Sequence, residues 1–171
     1  MVLQGRQTGG RALLVTGETG AGKTRAVLSL AQDLRRHGLR VGGVASPRVL
    51  ATGQTVGYQV RDLATGEERP LCRDRPPGIP FRRFFFSPEA LEFANSLLKK
   101  AAGGAQVILA DEVGPLELAG GGLAPGMRAL LASLAFLVLT VRPSLVDAVR
   151  AWAGLPAETP LWRLSRGPHS P

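Results

Sequence analysis

Apolar residues in this chain form short continuous runs that alternate with longer segments in which they recur every three or four residues. Four runs have the length and composition of strands buried on both faces, at 11–16, 39–45, 105–110 and 136–141. The helical spacing predicts four helices, at about 23–37, 88–102, 125–133 and 144–152. Strands that alternate with helices predict an α/β fold in three layers, with a mostly parallel central sheet.

A different pattern interrupts this alternation. Residues 55–63 partly alternate between apolar and polar side chains, and residues 64–67 have the composition of a turn. Residues 68–73 would then form the second strand, running back along the first. This predicts an antiparallel hairpin inserted into the sheet. Ser87 and Pro88 are a suitable N-cap and first residue for the helix that follows. The remaining expectations are loops at 46–50 and 73–80, a single strand at 81–86 and a last strand at 161–164.

Length and composition limit the possible classes of protein. The 171 residues, with 44 % hydrophobic and 20 % charged side chains, predict one globular domain over 1–171. Cys72 is the single cysteine, so no internal disulfide can form, and a cytoplasmic monomer is the simplest interpretation. No apolar core of a signal peptide follows Met1, and the longest apolar stretch, residues 129–141, is too short to cross a membrane.

The net charge of +8 has two possible explanations. Of the 21 basic residues, 18 are arginines scattered along the chain, which indicates a compositional bias together with an anionic ligand such as a nucleoside triphosphate. The alternative is a nucleic-acid partner, but aromatic residues, at 5 %, are seldom interleaved with the arginines. The first explanation is therefore favoured, and an RNA or protein partner stays open.

Residues 17–24, Gly-Glu-Thr-Gly-Ala-Gly-Lys-Thr, fit the phosphate-binding pattern G-x-x-x-x-G-K-[ST] between a predicted strand and a predicted helix. Glycines let backbone N–H groups approach phosphate oxygens, and the N-terminus of the helix attracts anions. Lys23 would reach the β- and γ-phosphates, and the Thr24 hydroxyl would bind Mg²⁺. The predicted nucleotide-binding residues are Gly17, Glu18, Thr19, Gly20, Ala21, Gly22, Lys23, Thr24 and Arg25.

Asp111 and Glu112 end a predicted buried strand downstream of this loop. An acidic pair at the end of a strand is common. Next to a phosphate loop, however, Asp111 would hold Mg²⁺ through water, and Glu112 would be the general base. Charge that develops on the γ-phosphate calls for a further cation, and Arg142, which follows the strand 136–141, is the first choice. Its rivals are Arg48, Arg82 and Arg83.

Residues 111–118, Asp-Glu-Val-Gly-Pro-Leu-Glu-Leu, resemble the D-E-[IV]-G-x-[ML]-E-L signature of the small P-loop nucleoside-triphosphatases first described in thermophiles, and residues 43–63 are also similar to that family. The resemblance implies a RecA-like fold and slow, Mg²⁺-dependent hydrolysis of several nucleoside triphosphates. Glu117 belongs to the signature, and its role stays open, with fixing the loop after the strand as one interpretation. Two features depart from the family: Pro115 where many members are basic, and a loop at 46–50 without acidic residues.

Three functions follow from these features. The first is hydrolysis of the β–γ bond of ATP, GTP and other nucleoside triphosphates. The second is a P-loop kinase acting on a nucleoside or small molecule, with the arginine-rich segment 69–83 as a lid. The third is an ATPase that binds RNA or protein in a nucleotide-dependent way. A Ras-like switch is not expected, because Asn95 is the single asparagine and the guanine-recognising motif is missing.

Overall fold

The computed structural model describes residues 11–165, which form one sheet with helices on both faces. The strands are β1 (Ala12–Thr16), β2 (Val41–Ala45), β3 (Arg48–Ala51), β4 (Gln54–Asp62), β5 (Glu68–Arg73), β6 (Ile79–Phe81), β7 (Phe84–Phe86), β8 (Val107–Val113), β9 (Phe136–Val141) and β10 (Leu161–Arg163). The helices are α1 (Lys23–Arg36), α2 (Pro88–Ala102), α3 (Pro115–Leu118), α4 (Ala124–Ala132) and α5 (Val146–Ala153), and a 3₁₀ turn at Pro143–Leu145 precedes α5.

One half of the sheet is parallel, in the order β10-β1-β9-β8-β2. The strand β9 therefore separates β1, which leads into the phosphate loop, from β8, which carries Asp111 and Glu112. Because parallel strands end at the same edge of the sheet, the loop, the acidic pair and the residue after β9 meet there. The predicted parallel α/β fold is confirmed.

The other half is antiparallel and larger than a hairpin. The order continues β2-β4-β5-β7-β6, and β3 also pairs with β4. The predicted hairpin is confirmed as β4 and β5. The expected loop at 46–50 is wrong, because β3 begins at Arg48 and turns into β4 through Thr52 and Gly53, both with positive φ.

The single strand expected at 81–86 is also wrong. The chain turns at Arg82, whose φ is +53°, and β6 and β7 pair on either side of that turn. Part of the expected loop at 73–80 belongs to β6. No glycine, proline or asparagine marks this turn among the phenylalanines and arginines, so the run has the composition of one continuous strand.

Side chains alternate between the two faces of the parallel strands, and each face is covered by its own helices. Leu14, Ile108 and Leu139 face the layer formed by α2, α4 and α5. Their neighbours Val15, Leu109 and Val138 face α1 instead. Each of these side chains is almost completely buried, so both helical layers are needed to keep the strands from water. The three predicted layers are therefore present.

The predicted start of α2 is confirmed at the level of single atoms. The Ser87 Oγ accepts a hydrogen bond of 3.1 Å from the Ala90 N–H, and Pro88 is the first helical residue. No helix of the described residues is long and apolar enough to cross a membrane.

Candidate active site

The phosphate loop leaves the N-terminus of α1 open toward the sheet edge. Gly20 and Gly22 have φ of +83° and +88°, conformations that favour glycine, and α1 begins at Lys23 immediately after them. No side chain caps this helix end within residues 11–165. The first N–H groups of α1 and the positive end of its dipole are therefore available to an anion.

Lys23 lies inside the loop rather than in solvent. Its side chain is buried, and Nζ donates to the carbonyl oxygens of Gly17 at 2.6 Å and Glu18 at 3.3 Å. These carbonyls hold the ammonium at the centre of the loop, where phosphate oxygens would approach the helix N-terminus.

The Asp111 carboxylate joins three other elements of the site. It is 1 % exposed. Its Oδ2 accepts from Thr24 Oγ1 at 2.8 Å and from the Ser46 N–H at 3.1 Å, and its Oδ1 accepts from Thr140 Oγ1 at 2.7 Å. The structure thus brings the predicted Thr24 and Asp111 together. Ser46 and Thr140 were missed, because neither belongs to a motif and each lies far along the chain from Asp111.

Thr24 and Asp111 have the ligand chemistry that Mg²⁺ prefers, a hydroxyl and a carboxylate that meet at the sheet edge. Within the described residues, no three or more His, Cys, Asp or Glu side chains form a metal-binding group. Mg²⁺ in nucleotide sites needs few protein ligands, because phosphates and water supply the others. The residues present therefore fit this ion.

Glu112 and Arg142 form an ion pair at the mouth of the site. The Arg142 Nε donates to Glu112 Oε1 at 2.9 Å, and both side chains keep access to solvent, at 43 % and 30 % exposure. The peptide bond between Asp111 and Glu112 is cis, and the pairing of β8 with β9 shifts register there. Asp111 is buried among hydroxyls and Glu112 lies beside a guanidinium, so the contacts of the two carboxylates differ.

The three rival arginines belong to the antiparallel half of the sheet. Arg82 and Arg83 are exposed on the turn between β6 and β7, with their guanidinium groups over the rings of Phe81 and Phe84. Arg48 is exposed at the start of β3 and lines the same cavity as Lys23 and Glu112. Arg142, the first choice, forms the ion pair with Glu112.

Glu117 is buried in the short helix after β8. Its Oε2 accepts from the Gly114 N–H at 3.0 Å, and its Oε1 accepts from the Leu123 N–H at 3.1 Å. Burial raises the pKa of this carboxyl; the two amide hydrogen bonds oppose that rise, and the charge of Glu112 adds to it. The contacts agree with a role in fixing the loop between β8 and α4.

Two cavities flank the phosphate loop. One, of about 430 Å³, extends from Lys23, Thr24 and Glu112 to apolar side chains of the antiparallel half. The other, of about 610 Å³, lies between the outer face of α1 and β10, beside Ala21, Arg25 and Trp162. Cys72 lines the first cavity, and burial raises the pKa of its thiol to about 11, so the thiolate is scarce at neutral pH.

The model of a protein family described as NTPase matches residues 12–154. The chain belongs to this NTPase family. Relatives include the nucleoside-triphosphatase THEP1 of Thermococcus kodakarensis, 32 % identical over 143 residues, which are 81 % of this chain and 79 % of the relative. The nucleoside-triphosphatase THEP1 of Thermofilum pendens is 37 % identical over 107 residues, which are 61 % of this chain and 59 % of that protein.

A solved structure has the same fold as this chain. The solution structure of a human cancer-related nucleoside triphosphatase superimposes with a TM-score of 0.68 at 23 % identity, covering 90 % of this chain and 88 % of the human chain. At that identity the likeness establishes the fold alone. The family resemblance expected from residues 111–118 is confirmed by the match over 12–154.

Proposed function

We propose that this protein is a Mg²⁺-dependent nucleoside-triphosphatase that cleaves the bond between the β- and γ-phosphates. The observation that carries the proposal is the meeting of Thr24 Oγ1 and the Asp111 carboxylate at 2.8 Å, with Glu112 next in the strand. Membership of the NTPase family supports it. Thr24 and Asp111 would hold Mg²⁺, which neutralises phosphate charge when bound.

Side chains and backbone groups of the chain would bind the phosphates, accept the proton from water and stabilise the developing charge. Backbone N–H groups of the phosphate loop and the Lys23 ammonium bind the phosphate oxygens. Glu112 accepts a proton from the attacking water as the water oxygen bonds to the γ-phosphorus and the bond to the β–γ bridging oxygen breaks. Arg142 fixes the direction of the Glu112 carboxylate through its 2.9 Å hydrogen bond and adds a positive charge beside the γ-phosphate.

We infer broad base specificity. The 610 Å³ cavity beside Arg25 offers a nucleobase the apolar surfaces of Trp162 and Leu164. Asn95 lies away from this cavity, because its side chain donates to the Leu91 and Gly122 carbonyls and accepts from the Gly126 N–H. Stacking on an apolar surface discriminates poorly between bases.

The test is phosphate release from ATP, GTP, CTP and UTP, with Mg²⁺ and with EDTA, for the wild type and Lys23→Ala. We expect release from all four nucleotides with Mg²⁺ and none with EDTA. Lys23→Ala should lose activity, whereas Lys99→Ala, a change of an exposed lysine at the end of α2, should not. Nucleotide binding by the wild type without any phosphate release would contradict the proposal.

A further inference from the structure

The 430 Å³ cavity reaches well beyond the residues that would serve hydrolysis. Its volume lies within the range of sites for small molecules, about 300–1,000 Å³. One end of this cavity is the phosphate loop and Glu112. The other end is lined by apolar side chains of β4, β5, β7, α2 and the segment that follows β8, namely Tyr58, Leu71, Phe86, Leu91, Leu116 and Leu123.

The nucleoside half of a bound nucleotide would not fill this apolar end. Lys23, Thr24 and Glu112 serve the γ-phosphate side of the loop, and they line the 430 Å³ cavity. The second cavity shares Gly20, Gly22 and Arg25 with the first and continues along α1 to Trp162, without reaching Glu112 or the antiparallel strands. The apolar end therefore lies beyond the γ-phosphate, where a hydrolase needs only water.

The charges in the cavity indicate what its occupant carries. Lys23 is held at the phosphate loop, and Arg142 is paired with Glu112. Arg48 also lines the cavity, and no carboxylate within residues 11–165 forms an ion pair with its guanidinium. In the pairing of β3 with β4, Arg48 lies directly across from Tyr58. An aromatic side chain and a cation that has no ion-pair partner in the described part of the chain are thus adjacent.

We propose that this cavity binds a small molecule with an aromatic body and one anionic group, the body between Tyr58 and Phe86 and the anion at Arg48. The inference rests on the proposed function only for the position of the γ-phosphate. Apolar contacts along the cavity supply affinity for the ring, and the guanidinium supplies preference for an anion over a neutral molecule of the same shape.

A pair of probes separates these two contributions. Fluorescence titrations with 2-naphthoate and 2-naphthol compare an anion and a neutral molecule on the same ring system. We expect saturable binding of both to the wild type, with naphthoate about tenfold tighter, the size of one charge-assisted hydrogen bond. Arg48→Gln should remove that preference, whereas the matched control Arg83→Gln should keep it, because Arg83 lies outside the cavity.

A second variant tests the location. Leu91→Trp places a larger side chain into the apolar end from the first turn of α2, so both probes should lose affinity while thermal unfolding shows an intact fold. Absence of saturable binding to the wild type, equal affinities for the two probes, or an unchanged preference in Arg48→Gln would overturn the inference. Naphthoate binding by a wild type that hydrolyses no nucleotide would contradict the proposed function but not the aromatic-anion site.

Discussion

Asp111 is the residue through which separate parts of the site are held together. The phosphate loop could be predicted from sequence, because its fixed positions lie within eight consecutive residues. The hydroxyl of Thr140, 29 residues from Asp111, and Ser46, 65 residues away, could not. Their contacts arise only when β2, β8 and β9 align their carboxyl ends, and sheet order is not a local property of the sequence.

Arg142 is the cation that we expect to matter for turnover. Arg142→Ala should lower kcat about 100- to 1,000-fold, the usual effect of losing one group that stabilises transition-state charge, with a smaller change in KM. Steady-state kinetics with ATP measures both constants. Arg83→Gln is the matched control and should leave both unchanged. A rise in KM with kcat unchanged would mean that Arg142 binds substrate without aiding the chemistry.

Glu117 should make stability depend on pH in a particular direction. Because its pKa is raised in the folded state, its contribution is fully present below the ordinary carboxyl pKa and is lost as pH rises through the folded value. Glu117→Gln does not titrate, and its amide leaves one buried N–H facing another donor, which costs about 1–3 kcal/mol. Urea unfolding should show the wild type's advantage shrinking from pH 4.5 to pH 7.

Two outcomes of that experiment would count against this role. An advantage that grows with pH would mean that the two amide hydrogen bonds outweigh burial and lower the pKa of Glu117. Equal stability at every pH would mean that the contacts with Gly114 and Leu123 do not hold the loop.

Elements differ in how well the sequence predicted them. The helix at 88–102 and the strand at 136–141 have the predicted bounds, since their apolar patterns and the Ser87-Pro88 start of the helix are local signals. The turn at Arg82–Arg83 carried no such signal, and the helix at 115–118 carried only Pro115 at its start. In the first case the chain turns within an aromatic run, and in the second the helix has only one turn, too short for periodicity to appear.

Gly43 shows how closely β2 and β8 approach. Its φ is +113°, and an added Cβ would lie 1.9 Å from the Leu109 carbonyl oxygen. Gly43→Ala must therefore displace backbone where the parallel half of the sheet meets the antiparallel half, and we expect a loss of roughly 3 kcal/mol or more in the free energy of unfolding. Chemical denaturation measures it.

Gly53→Ala is the matched control for that prediction. Gly53 also has positive φ, +77°, but within residues 11–165 no atom beyond its two chain neighbours lies within 4 Å of an added Cβ. The loss in free energy of unfolding caused by Gly53→Ala should be limited to backbone strain, about 1 kcal/mol. Equal losses at the two positions would show that close packing against Leu109 is not what requires glycine in β2.

At the scale of the whole molecule, the parallel half of the sheet carries the proposed phosphate site, and the antiparallel half lines the far end of the 430 Å³ cavity. Sequence predicted the first half well and underestimated the second, because β3, β6 and β7 are short and no clear turn residue separates β6 from β7. The net charge of +8 fits an anionic nucleotide and does not by itself require a nucleic acid. An RNA partner stays a prediction to be tested by salt-dependent binding.

Nucleotide binding should stabilise the entire fold. A non-hydrolysable ATP analogue with Mg²⁺ at 100 times its Kd should add about 2.7 kcal/mol, which raises Tm by roughly 5–10 °C in a chain of this size. Differential scanning fluorimetry measures the shift, and Lys23→Ala should abolish it. An equal shift in Lys23→Ala would place the nucleotide outside the phosphate loop.

The role of Glu112 as the general base is tested by comparing the wild type with Glu112→Gln in two assays on the same samples. These are nucleotide binding and phosphate release from Mg·ATP without any acceptor. Glutamine keeps the size of the side chain and its carbonyl can still accept from Arg142, but it cannot take a proton from water. We predict unchanged ATP affinity within about threefold and a fall in phosphate release of about 100-fold or more. Undiminished phosphate release by Glu112→Gln would show that another group activates the water, and the proposed mechanism would be wrong.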